Sequence, residues 1–189
     1  MESSFLKSKH EAGLIYADYL QKGNANQQEN WNQNYRPLTL ADEHSELLKS
    51  FVREMKVIVL SGIWCGDCAQ IGPTLAKIAE GNPLIDLKFV ERDEHLDLAG
   101  QVTVNAGQRV PIVIFCAEDF EQVAWYGDKS LSRYRRIASQ QLGGAACALP
   151  GAPILAAQQQ EEVADWVGEF ERVHHILRLS GRLRQIHGD

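Results

Sequence analysis

Cys65 and Cys68 lie three residues apart in the run Trp64-Cys65-Gly66-Asp67-Cys68, in a chain that holds only four cysteines. A pair at this spacing supports two kinds of chemistry. On one side of a helix's first turn the two sulfurs are close enough to close into a disulfide and open again, which stores and releases an electron pair. The same pair can supply half of a zinc or iron–sulfur site, but such sites usually draw on a second close pair. Cys116 and Cys147 are far apart in the chain and carry no flanking ligands. The six histidines show no H-x-x-x-H spacing, and the adjacent His174 and His175 point in different directions on a helix. Reversible thiol chemistry, with no cofactor or metal, is therefore the leading expectation. Cys116 reads as a buried strand residue and Cys147 as a small residue of a glycine-rich link.

The elements that must position the pair are read from periodicity. Lys56–Gly62 is a short apolar run rich in β-branched residues, the pattern of a strand buried on both faces. A helix follows from about Cys65 to Glu80. Ile85–Asp93 alternates as a strand, Glu94–Val104 suits a short helix and turn, and Pro111–Cys116 and Glu121–Gly127 suit two strands of a hairpin. Helices are expected near Ser130–Gln141 and Leu155–Leu179, with a flexible link between them. Val163, Trp166, Val167, Phe170, Val173 and Leu177 keep helical spacing in the second.

Upstream, Phe5–Leu20 has loosely helical spacing. Gly23–Pro37, rich in Asn and Gln, is expected to be an exposed loop pinned by Trp31 and Tyr35. Thr39 is expected to cap a helix with Leu47, Leu48, Phe51 and Val52 on one face. The order of elements implies an α/β protein with a central mixed sheet flanked by helices on both faces.

Composition narrows the functions. The 189 residues are 44% hydrophobic and 23% charged, which suits one globular domain with decoration. A formal net charge of -6 repels a phosphate backbone. The basic runs Arg133–Arg136 and Arg172–His187 read as solvated helix faces, so nucleic acid is not an expected partner. The first twenty residues lack the apolar run of a secretory signal, and no stretch reaches membrane-spanning length. A cytoplasmic protein that does not enter the membrane is expected, and the sparse, uneven cysteines agree with a reducing compartment.

With a strand, then Trp64-Cys65-Gly66-Asp67-Cys68, then a helix, the sequence resembles the thioredoxin-like superfamily. Three further landmarks fall in order. Pro73 stands eight residues after Cys65, where the family carries a helix-kinking proline. Pro111, after Val110 at the start of a strand, takes the place of the family's cis-proline beside the cysteines. Gly127 follows the hairpin, where the family also keeps a glycine. The resemblance covers about Thr39 to Gly127. It implies a thioredoxin-like domain over residues 39–189, with an extra helix between about 128 and 153, preceded by an N-terminal helical extension and loop over 1–38.

The resemblance also implies a thiol–disulfide oxidoreductase acting through Cys65 and Cys68 on protein or small-molecule disulfides, reset by an external electron donor. Two departures stand out. Asp67 replaces the motif's proline, and Val59, six residues before Cys65, replaces a buried acid that assists proton transfer in thioredoxin. Glu91 on the neighbouring strand, or a water, could take that part.

The residue types fit such chemistry. A free thiol with a pKa near ~8.5 is mostly protonated at neutral pH. At a helix start, unpaired N–H groups and the positive end of the helix dipole favour the Cys65 thiolate, so Cys65 is the expected nucleophile and Cys68 the buried resolving partner. Gly66 leaves room for a substrate backbone and for closure of the small ring. Trp64 either shoulders the reactive sulfur or fills part of the core. Asp67 suits a first helical turn but opposes the thiolate, which predicts a modestly acidified Cys65 and a reducing pair. Arg109 is expected to neutralise Asp67 or meet an acidic substrate, or else to be a solvated surface arginine. Val110 is expected to offer its backbone to an extended substrate segment. Two other readings are an adaptor that uses the fold as a scaffold and, further off, a metal-binding protein.

Overall fold

The computed structural model describes residues 1–142 and 156–189, so the glycine-rich link and the expectation for Cys147 fall outside the described residues. Strand β1 (Met55–Ser61) pairs in parallel with β2 (Ile85–Glu91) and antiparallel with β3 (Ile112–Cys116), which pairs antiparallel with β4 (Gln122–Gly127). The sheet is mixed, in the order β2-β1-β3-β4. Central position explains why β1 and β3 read as continuous apolar runs, since both of their faces are covered.

Register decides which side chains meet. Val59 pairs with Phe89 and Ser61 with Glu91, and side chains alternate along a strand, so all four share one face. There Phe89 meets Tyr19 and Trp31, and Phe115 meets Phe170 edge-on. On the opposite face His10 reaches the Asp86 carbonyl and the ring of Phe120.

Between β1 and β2 runs α5 (Gly66–Glu80), with Pro73 inside it. After β2 come a 3₁₀ turn (Arg92–Glu94) and α6 (Leu96–Ala99), and after β4 the helices α7 (Leu131–Leu142), α8 (Ala156–Leu179) and α9 (Gly181–His187). The apolar stripe of α8 expected from the sequence is buried from Val163 to Leu177. Among the described residues no helix is long and apolar enough to cross a membrane.

The N-terminal expectations need three corrections. The first helix is two, α1 (Ser3–Ala12) and α2 (Tyr16–Leu20), because the chain extends at Leu14 to exchange both backbone hydrogen bonds with Phe89, each 2.8 Å long. The gain is a partner for an otherwise open stretch of the β2 edge. Second, the Asn/Gln-rich segment is a helix, α3 (Ala25–Tyr35), rather than a loop. Asn24 and Gln27 form a reciprocal capping box at its start, and wholly buried Trp31 anchors its inner face. Third, Thr39 caps nothing. Helix α4 (Asp42–Lys49) begins after Ala41 without a side-chain cap, and ends before Phe51 and Val52. Asn82 donates to the Leu48 and Phe51 carbonyls at 2.8 and 3.0 Å, which satisfies two acceptors at that end and seals the turn.

Candidate active site

Strand β1 ends at Ser61, the chain turns through Gly62, Ile63 and Trp64, and Cys65 forms the N-cap of α5 with extended φ -86 and ψ 127. The Cys65 sulfur, half-buried, lies 3.9 Å from the Val110 carbonyl. Cys68, wholly buried one turn into the helix, accepts the Gly62 N–H at 3.4 Å. Both are free thiols. A hydrogen bond from the Cys68 thiol, more than burial and Asp67 can oppose, pulls Cys65 down to about 7 from its usual 9.0, helped by the N–H groups of Cys68 and Asp67. Burial, and then Cys65 itself, push the Cys68 thiol well above the ordinary range. The two sulfurs thus differ in exposure and in how readily each loses its proton. Cys116 sits at the other end of the sheet, opposite Lys56, and burial pushes it up to about 12.

The turn before Cys65 is held by Glu91. One carboxylate oxygen accepts the Tyr19 hydroxyl at 2.7 Å and the Ile63 N–H at 3.0 Å, and the other accepts the Trp64 indole N–H at 3.1 Å. Trp64 remains 47% exposed beside Cys65, with the Arg92 guanidinium 4.6 Å above its ring. Trp31 ties α3 to the same turn by donating to the Ile63 carbonyl at 3.1 Å. Across the sulfurs, the Val110–Pro111 peptide is cis. Gly127, at φ +151, lets β4 press against it: a Cβ there would stand 2.5 Å from the Pro111 carbonyl oxygen.

Asp67 does not meet Arg109. Its carboxylate takes Lys129 at 2.8 Å and Arg133 at 2.5 Å, and Arg133 continues to Glu162 at 3.4 Å. Arg109, half-exposed, instead faces buried Asp128 at 3.5 Å. Burial of Asp128 is outweighed by hydrogen bonds from Tyr134 and Lys129, which hold its carboxyl below the usual range. Arg133 is buried, so the run Arg133–Arg136 is no solvated face at its first residue, where it serves the cysteine turn. Lys129, Arg133 and Tyr19 reach the cysteine turn through Asp67 and Glu91, tertiary contacts that spacing could not reveal. Among the described residues no group of three or more His, Cys, Asp or Glu side chains is gathered as a metal site.

A family model described as thioredoxin matches residues 13–132. The chain belongs to the thioredoxin family. The match begins upstream of Thr39 and takes in Tyr19 and Trp31. Two solved structures share the fold of this thioredoxin-family protein over most of its length. One is a protein of unknown function from Pseudomonas aeruginosa, 16% identical, with a TM-score of 0.68 over 87% of this chain and 93% of its own. The other is an HIV epitope-scaffold, 16% identical, at 0.67 over 88% and 95%. Mitochondrial thioredoxin 3 from Saccharomyces cerevisiae, in its oxidized form, is 22% identical and aligns over 50% of this chain and 86% of its own at a TM-score of 0.34. No curated protein matches the chain. Within the family frame, Val59 keeps its expected departure: it is wholly buried among apolar residues, and the carboxylate on its face of β1 and β2 is Glu91.

Proposed function

We propose that the protein is a thiol–disulfide oxidoreductase working as a disulfide reductase. The observation that carries this reading is the asymmetry of the pair. A half-buried Cys65 caps a helix and is drawn down to about 7, while its neighbour Cys68 is buried and held protonated. The Cys65 thiolate attacks a substrate disulfide and expels one substrate thiolate. Cys68 then attacks the mixed disulfide, forming the Cys65–Cys68 bond and expelling the second. An external dithiol reductant restores the pair.

A value near 7 fits a reducing pair, because strongly oxidising pairs stabilise their thiolate much further. Val110, with its carbonyl beside the Cys65 sulfur, supports docking of an extended substrate segment, protein or small, against its backbone. Arg109 at the rim suits an acidic residue in that segment, and a reducing cytoplasm suits the direction of transfer. The test is reduction of insulin by the protein with dithiothreitol. Wild type accelerates precipitation of the insulin B chain and Cys65→Ser does not; a Cys65→Ser variant as active as wild type refutes the reading.

A further inference from the structure

We propose that the open edge of β2 at Leu87 is a docking site for an extended segment of a partner protein that carries a lysine or arginine. Such a site stands apart from the thiols. β2 spans seven residues, roughly 20 Å, and Glu91 at its far end holds the cysteine turn, so a partner seated near its start leaves Cys65 open to substrate.

β2 is an edge strand whose outer side is paired at one point, where Leu14 meets Phe89. Backbone groups alternate sides along a strand, so Leu87, two residues before Phe89, also turns its N–H and C=O outward. Leu84, whose carbonyl accepts the Met55 N–H, belongs to the alternate set that faces β1. Among the described residues no group outside the sheet bonds to the Leu87 backbone. An outward N–H and C=O on an edge strand form a template for a further strand, and an extended peptide can supply it.

The same edge opens into a groove of about 530 Å³, large enough to take a long side chain. Ala76 and Ala79 of α5 line it, and their small side chains leave the space beside Leu87. A residue paired with Leu87 directs its side chain to the face that Leu87 and Phe89 share. There the Tyr16 ring meets Phe89 edge-on at 5.9 Å and stacks on Tyr35 at 4.9 Å, and Tyr35 donates to Glu80. The Tyr16 hydroxyl is buried and makes no hydrogen bond. An unpaired buried hydroxyl is a rarity that calls for a partner. Burial, then Tyr35 and Glu80, push this phenol above its usual value, so it stays neutral.

Charge selects the occupant. Glu54, Glu80 and Asp86 line the groove, and no cationic side chain among the described residues does. Lys56 pairs with Glu54 and Asp86 at 2.6 and 3.0 Å, and Lys77 with Glu80 at 3.0 Å, so two lysines answer three carboxylates. His10, 3.6 Å from Asp86, adds to them only when protonated. An ammonium or guanidinium arriving on the segment donates to Glu80 and to the Tyr16 oxygen, and supplies the partner that hydroxyl lacks.

The test is amide hydrogen exchange followed by NMR on the full chain, free and with acetylated, amidated heptapeptides Thr-Val-Thr-X-Thr-Val-Thr in which X is Lys, Arg, Leu or Glu. In the free protein the Leu87 amide exchanges rapidly, while the Phe89 amide, bonded to Leu14, is protected. At about 1 mM the Lys and Arg peptides slow Leu87 exchange roughly tenfold, and they bind roughly tenfold more tightly than the Glu peptide. Glu80→Gln weakens the Lys peptide roughly three- to tenfold and leaves the Leu peptide unchanged. Tyr16→Phe, which removes only an unpartnered hydroxyl, does the same and serves should Glu80→Gln fail to fold. A Leu87 amide as protected as Phe89 in the free protein overturns the inference, because this chain or a second copy then already covers the edge. Failure of every peptide to protect Leu87 overturns it too, as does a Glu peptide that binds as well as the Lys peptide. The peptides hold no cysteine, so none of these outcomes bears on the oxidoreductase reading.

Discussion

The Asp67 carboxylate lies 2.5 Å from the Arg133 guanidinium, an ion pair that ties the cysteine turn to α7. Lys129 closes on the other oxygen. The negative charge that raises the Cys65 thiol is therefore balanced by two cations nearby. Asp67→Asn removes the opposing charge while Lys129 stays paired with Asp128 and Arg133 with Glu162, so the Cys65 pKa falls below about 7. Alkylation of Cys65 at about pH 6 should speed up roughly two- to fivefold, the scale of a partly solvated pair. Lys129→Ala should shift the titration the other way. An unchanged thiolate titration in Asp67→Asn would count against this account.

Cys65 owes its low pKa first to the Cys68 thiol. Its alkylation rate should rise with pH up to about 7 and level off above, because the thiolate is the reactive form. Cys68→Ala removes the donor, and its titration should move upward toward the ordinary 9.0. Thiolate absorbance followed against pH in the two proteins checks both outcomes.

Gly72 packs against Trp31 so closely that an added Cβ would stand 2.2 Å from the ring. In a helix interior alanine normally exceeds glycine by about 1 kcal/mol, but overpacking a core costs ~1–3 kcal/mol. Gly72→Ala should therefore destabilise by about 1 kcal/mol, seen as a lower urea midpoint at unchanged slope. Gly168, whose Cβ would meet nothing within 4 Å, is the control. Gly168→Ala should stabilise by up to about 1 kcal/mol.

His174 stacks on Phe51 at 4.3 Å with the rings 3° from parallel, and is only 6% exposed. Burial, joined by His175, Arg178 and Arg53, pushes it down to about 4, against a weaker pull from Glu171. The folded ring stays neutral where the unfolded one, near 6.5, takes a proton. Stability is therefore lost as pH falls from about 6.5 toward 4, by up to ~3 kcal/mol from this group. His174→Phe should flatten the thermal midpoint between those limits, and an equally steep fall in the variant would rule the histidine out as its source.

Whatever depends on neighbours along the chain is legible in residue order. The apolar run of β1, the Cys65–Cys68 spacing at a helix start, Pro73 within that helix and the β3–β4 hairpin follow from local periodicity and turn chemistry, and together they specify the sheet and where its pair of thiols sits. Tertiary structure alone decided the rest. Helix α3 reads as a loop because its composition is polar, and what stabilises it is the Asn24–Gln27 capping box and one buried indole packed on Gly72. Asp67 found Lys129 and Arg133 rather than Arg109, and Glu91 found Tyr19, across stretches of chain too long for any spacing rule to bridge. Such pairs form where register and helix packing bring side chains within a few ångströms, and that distance is a property of the folded chain rather than of residue order.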